Sequence, residues 1–348
     1  MVPCRLTGKP FWDIYVYQNP PLWKAHIDAL KHFDIDGGLE MYWGDPFGDQ
    51  PEWEQRIVSR NRDGSFVTQE YCRKTNKWST CVAVHTADNP PASGVLPEKI
   101  GLPAVPTTWE TIAGIKQWPT GMELWKLIKR EMGDQGIVGI PSGATTCLLW
   151  NGPDDIYAYY DDPRPFYERR EQALARVETI INRIAGLDDK PDFLFCGASG
   201  SLIWQTPEMF RELSLPVLKK ATEMADDLRI PTHVHSCGPE RELVRMAAEE
   251  TKLTVIDPLE IPPMGDCILK ELKQRYGHKL VLKGNLHTTE VMLKGSVETV
   301  RTAARKAIDD AGKGGGFILS TGDQCGRDTP DENIRAMVNT ARTYGEYK

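Results

Sequence analysis

The feature that most constrains this chain is the rhythm of its second half. Short apolar runs rich in β-branched residues alternate with longer segments of helical period. The runs are Gly136–Ile140, Asp192–Cys196, Pro231–His235, Leu253–Ile256, Leu280–Lys283 and Phe317–Ser320. The helical segments cover roughly Pro163–Ala185, Pro207–Leu228, Glu240–Glu250, Cys267–Tyr276 and Val297–Ala311. Each run is near-continuously apolar rather than alternating, which is the pattern of parallel strands covered on both faces. Thr206-Pro207-Glu208 and Thr329-Pro330-Asp331 each set Thr at N-cap, Pro at N1 and an acid at N2 of a helix.

The first half adds a helix at about Leu22–Phe33 and a strand at about Asp36–Tyr42. Trp53–Val84 reads differently. Ile57-Val58, Ser65–Thr68 and Trp78–Val84 alternate, and Asn61-Arg62-Asp63-Gly64 supplies turn residues, so antiparallel hairpin strands are expected there. A Pro-rich connector, Asn89–Pro106, leads to a helix at about Glu110–Met132. A strand near 38, one near 80 and the six runs make eight βα units. The reading is an α/β chain with a (β/α)8 TIM barrel. It forms one domain over 1–348, with an N-terminal extension and a β-hairpin insertion at about 53–90. A doubly wound sheet is the alternative, but no strand–GxGxxG–helix signal supports it. Gly312-Lys313-Gly314-Gly315-Gly316 precedes a strand, so it reads as a helix cap and αβ loop rather than a phosphate cradle.

Charge narrows the classes further. With 42 Lys and Arg against 49 Asp and Glu the net charge is −7, so a basic face for nucleic acid is not expected. No apolar run approaches the roughly 18–20 residues of a membrane helix, and Met1–Pro10 holds no signal-peptide stretch, so the chain reads as cytoplasmic. Eight scattered cysteines without such a signal argue against a disulfide framework.

A barrel places its chemistry at the C-terminal ends of its strands. Those ends carry Ser142 and Gly143; Gly197, Ala198 and Ser199; His233-Val234-His235-Ser236-Cys237-Gly238; Asp257-Pro258-Leu259-Glu260; Asn285-Leu286-His287; and Thr321-Gly322-Asp323-Gln324-Cys325. His235, Cys237 and Cys325 form a nitrogen-and-sulfur set that suits Zn²⁺, with a fourth position left for oxygen, water or substrate. Spacing alone leaves open that they are three unrelated residues. His233 shares a side with His235 on an extended chain and reads as a core histidine. Glu260 is a ligand in the substrate's absence, an orienting group or a loop anchor. Asp323 lies just outside the ligand set or is a turn residue.

At these residues the chain resembles the uroporphyrinogen decarboxylase superfamily, and within it the zinc-dependent corrinoid methyltransferase branch. The resemblance is carried by Pro-Thr-His-Val-His-Ser-Cys-Gly and Ser-Thr-Gly-Asp-Gln-Cys. It implies that His235, Cys237 and Cys325 are zinc ligands. The decarboxylase itself fits less well. The resemblance implies an N-terminal arginine clamp for porphyrinogen carboxylates, yet no Arg lies between Arg5 and Arg56. Two methyl-transfer roles follow from the branch. One passes a methyl group from a methoxylated donor to Co(I) of a separate corrinoid protein, an O-demethylase half-reaction. The other passes it from a methylcorrinoid to a thiol of the coenzyme M type. The aromatic stretch with Phe11, Trp12, Tyr15, Tyr17, Trp23, Tyr42 and Trp43 favours the first, because a flat methoxyarene suits rings. Trp12, Tyr15 and Trp43 are the expected substrate wall, and Glu260, then His287, the expected proton donors. No DxHxxG corrinoid signature occurs, so the corrinoid is expected on a partner protein.

Overall fold

The computed structural model describes residues 1–40, 46–47, 53–149, 153–197 and 201–346. The chain divides into two compact units, one of Met1–His32 with Phe47–Gly133 and one of Phe33–Pro46 with Asp134–Lys348.

The second unit is built on seven strands: β1 (Gly37–Glu40), β2 (Gly136–Pro141), β3 (Leu194–Gly197), β4 (Thr232–His235), β5 (Val255–Asp257), β6 (Val281–Leu286) and β7 (Phe317–Thr321). They pair in chain order and all ladders are parallel. The apolar runs explain this. Val138, Ile140, Leu194, Val234, Ile256 and Leu282 are fully buried, as strands covered by helices require. Helices return the chain between strands. Val297–Ala311, for example, buries Val300, Ala304, Ala307 and Ala311, one stripe at helical spacing. Its N-cap Ser296 accepts the Thr299 N–H, and Gly312 closes its other end, with Gly314, Gly315 and Gly316 at positive φ in the loop that follows.

The first unit holds a five-stranded antiparallel sheet in the order Ala92–Val95, Lys77–His85, Phe66–Cys72, Trp53–Arg60, Glu110–Thr111. The alternating segments of 53–84 thus form antiparallel strands, as their period predicts. The turn at 61–65 is fixed by Asp63, which accepts the Ser65 N–H, and by Gly64 at φ +87°. Val16, Ile57, Phe66 and Ile112 form one core cluster, and Cys4, Phe11 and Ile14 another.

Four sequence expectations are corrected. The strand near 80 belongs to the antiparallel sheet, so the parallel sheet has seven strands among the described residues rather than eight. Alternation marks a half-buried strand but does not say which sheet it joins. The helix expected from Glu110 begins only at Gly121, because Pro119 disfavours helical backbone before it, while Glu110–Thr111 pairs with Arg56 and Ile57. The helix over Pro207–Leu228 is two, Pro207–Leu213 and Leu215–Asp227. Pro216 has no N–H for the Glu212 carbonyl, and Arg170 donates to that oxygen at 3.1 Å instead. Thr206 caps its helix as expected, but the last helix starts one residue later than its parallel motif predicts: Pro330, not Thr329, stands at the N-cap of Asp331–Tyr344.

Candidate metal centre

The site grows from β4 and β5. Parallel register sets Asp257 directly beside His235. His233 and His235, two apart on one extended strand, point the same way. Both rings reach one carboxylate oxygen: His233 Nε2 and His235 Nδ1 each lie 2.9 Å from Asp257 Oδ1. From β6, Lys283 Nζ meets the other oxygen at 2.6 Å. Burial works against the Asp257 charge, but the bonds from His233 and His235 and the Lys283 charge outweigh it and hold the carboxyl well below its usual range. His233 is buried, with Phe193 edge-on to it and Phe195 tilted against it.

Asp257 fixes Nδ1 of His235 and so leaves Nε2 facing outward. That atom lies 3.2 Å from Cys237 Sγ, and Cys237 Sγ lies 3.4 Å from Asp323 Oδ2. His235, Cys237 and Asp323 offer three ligand atoms within 4.8 Å of one another. A histidine whose rear nitrogen is held by a carboxylate and whose front nitrogen meets a thiol is the donor set that zinc takes. Burial disfavours a charged His235 ring, yet Asp257 and Cys237 raise its pKa to about 11. A metal would therefore displace a proton here.

The third corner is not the residue expected. Cys325 is outside this group, and burial pushes the pKa of its thiol up. Asp323 turns toward Cys237, and its own turn is held by Gln324 N–H on Oδ1 and Thr321 Oγ1 on its carbonyl.

Glu260 and His287 line one small cleft together with Asn285 and Gly322. Glu260 is 8% exposed, and its Oε2 accepts the Gly238 N–H at 2.6 Å. His287 caps the turn Thr288–Leu293: Nδ1 accepts the N–H groups of Thr289 and Glu290 at 3.1 Å each. With Nδ1 so used, the neutral ring carries its hydrogen on Nε2. Trp12 and Tyr15 lie in the first unit. Trp12 meets Phe66 at 6.0 Å between ring centroids, and Tyr15 stacks on Phe11 at 6.5 Å. Trp43 lies outside the described residues. Asp257 and Lys283 are site residues that motif reading missed. Asp257 was visible only as a strand end, and its role comes from the strand register.

Residues 197–344 match the family model described as uroporphyrinogen decarboxylase (URO-D). The match covers less than half of the chain, and the resemblance read from the sequence is borne out at that level. A uroporphyrinogen decarboxylase of Thioalkalivibrio sulfidiphilus is 27% identical over 233 residues, 63% of each chain. A methylcobamide:CoM methyltransferase, MtbA, of Methanosarcina mazei is 26% identical over 198 residues, 56% of this chain and 51% of that one. The matched stretches thus span between half and two thirds of these relatives. A solved methyltransferase from Methanosarcina mazei shares the fold at TM-score 0.57 and 16% identity, over 98% of this chain and 90% of that one.

Proposed function

We propose that this chain is a zinc-dependent methyltransferase that passes a methyl group from a methoxylated aromatic donor to Co(I) of a separate corrinoid protein. In this reading the whole chain, 1–348, acts as one domain of the barrel type, with 53–90 as its insertion, working in the cytoplasm. One observation carries it: His235 Nε2 stands 3.2 Å from Cys237 Sγ while Asp257 holds the ring from behind. A relative named for methylcobamide chemistry supports it.

The residues that would hold zinc are His235, Cys237 and Asp323, grouped as described, and Cys325, which the resemblance supplies. When bound, zinc supplies Lewis acidity toward the donor's oxygen. The remaining work falls to the chain. Asp257 keeps His235 in one tautomer and one orientation. As the methyl group leaves, its oxygen needs a proton, and Glu260 and His287 line the cleft beside the strand ends where one could be held. His287 offers an N–H from Nε2. The choice of an aryl ether rests on the aromatic N-terminal stretch.

The test is incubation with a reduced corrinoid protein and a panel of methoxyarenes, methylamines and methyl thioethers, following the cobalt absorbance. Methylation of Co(I) by a methoxyarene is expected. Rapid methylation of a free thiol from methylcobalamin, with no methoxyarene methylating Co(I), would establish the thiol-acceptor role instead.

A further inference from the structure

Behind the metal group lies a carboxylic acid that neither the motif nor the methyl-transfer reading uses. Glu240 is fully buried, at the start of the helix Arg241–Glu250. Its Oε2 accepts the Leu259 N–H at 2.6 Å, while Oε1 has no partner. The residue it holds is unusual. Leu259 is a fully buried leucine at φ +59°, a backbone conformation that a side chain with Cβ disfavours. Its own carbonyl is fixed by Asn285 Nδ2 at 3.0 Å. The next residue, Glu260, reaches back across the same gap and accepts the Gly238 N–H at 2.6 Å. Gly238 follows Cys237 directly, and the two loops pack so closely that a Cβ on Gly265 would lie 2.6 Å from the Gly238 carbonyl oxygen.

We propose that Glu240 is a positioning residue. Its carboxyl holds Leu259 in the left-handed turn, the turn seats Glu260 on the Gly238 N–H, and this exchange between two loops sets the peptide that follows Cys237. The inference rests on His235 and Cys237 being metal ligands. Burial pushes the Glu240 carboxyl well above its usual range, against the pull of the Leu259 N–H, so a glutamine matches the acid in shape and charge.

The experiment compares the full-length parent with Glu240→Ala and Glu240→Gln. Cobalt(II) serves as the probe, read by titration and by its thiolate absorption, and amide exchange is followed at Gly238 and Leu259. Glu240→Ala should weaken cobalt binding roughly 10–100-fold and speed exchange at both amides. Exchange in β6 should stay as in the parent. Glu240→Gln should restore both readouts. If Glu240→Ala fails to fold, Glu240→Asp replaces it, since a side chain one methylene shorter draws the carboxyl back from the Leu259 N–H. Parent-like cobalt affinity in the Ala or Asp variant overturns the proposal, as does a Gln variant that behaves like Ala. Should the parent take up no cobalt, the metal reading fails by itself. Amide exchange then decides Glu240, and unchanged exchange at Leu259 in the Ala variant rejects its role.

Discussion

Asp257 shows how much one residue settles. It holds His233, His235 and Lys283 at once, and only the bond to His235 Nδ1 leaves Nε2 free to face Cys237. Asp257→Asn should therefore lower zinc affinity about 10–100-fold, because the amide no longer enforces the tautomer. Competition with a chromophoric chelator measures this, and an unchanged dissociation constant would show that Asp257 does not orient the ligand. A second contrast separates the candidate third ligands. Zinc loss on Asp323→Asn with Cys325→Ser unaffected would support the grouping described, and the reverse would support the resemblance. The residues His235 and Cys237 were legible in the sequence as a motif. Asp257 was not, since it stands 22 residues from His235 and only strand register joins them. Trp12 and Tyr15 show the opposite difficulty. Their rings were legible as aromatic, but their neighbours Phe66 and Phe11 come only from the fold.

Elements carry their own test in the strand Lys77–His85. His85 is buried, stacked on Phe66 at 4.9 Å, with Nε2 2.8 Å from Thr68 Oγ1 and no partner for Nδ1. Burial lowers its pKa to about 4. Unfolding restores a value near 6.5, so protons bind the unfolded chain more readily. The stability that neutral His85 provides is complete above about pH 6.5 and is lost as pH falls toward 4, at most about 3 kcal/mol. His85→Gln should flatten the fall in denaturant midpoint between pH 7 and 4. A residual slope should remain from His26, which burial also lowers to about 4. Parent and variant losing stability equally would contradict this. The elements themselves were mostly legible where period was strong: Val297–Ala311 and Leu22–Phe33 stand where the pattern put them. The pattern gave out at Pro119, which disfavours helical backbone at the residue before it, and at Pro216, whose missing N–H breaks the helical ladder.

At the scale of the whole molecule, the parallel sheet and its helices bury a large apolar core that owes nothing to a metal. Among the described residues no helix is long and apolar enough to cross a membrane. None of the eight cysteines is in a disulfide. Chelation should thus abolish methyl transfer and leave the far-UV circular dichroism nearly unchanged, whereas cooperative unfolding on chelation would mark the site as structural. The parallel order of the sheet was legible because each run is apolar on both faces. The division into two units was not, since it depends on which sheet the strand near 80 joins. His235 and Cys237 stand together as the core of the proposed metal centre. Elemental analysis of the purified parent and of Cys237→Ser decides whether they hold a metal. The parent should hold about one zinc per chain, as a site with one catalytic ion does, and the variant should lose most of it. A variant as rich in zinc as its parent would contradict this.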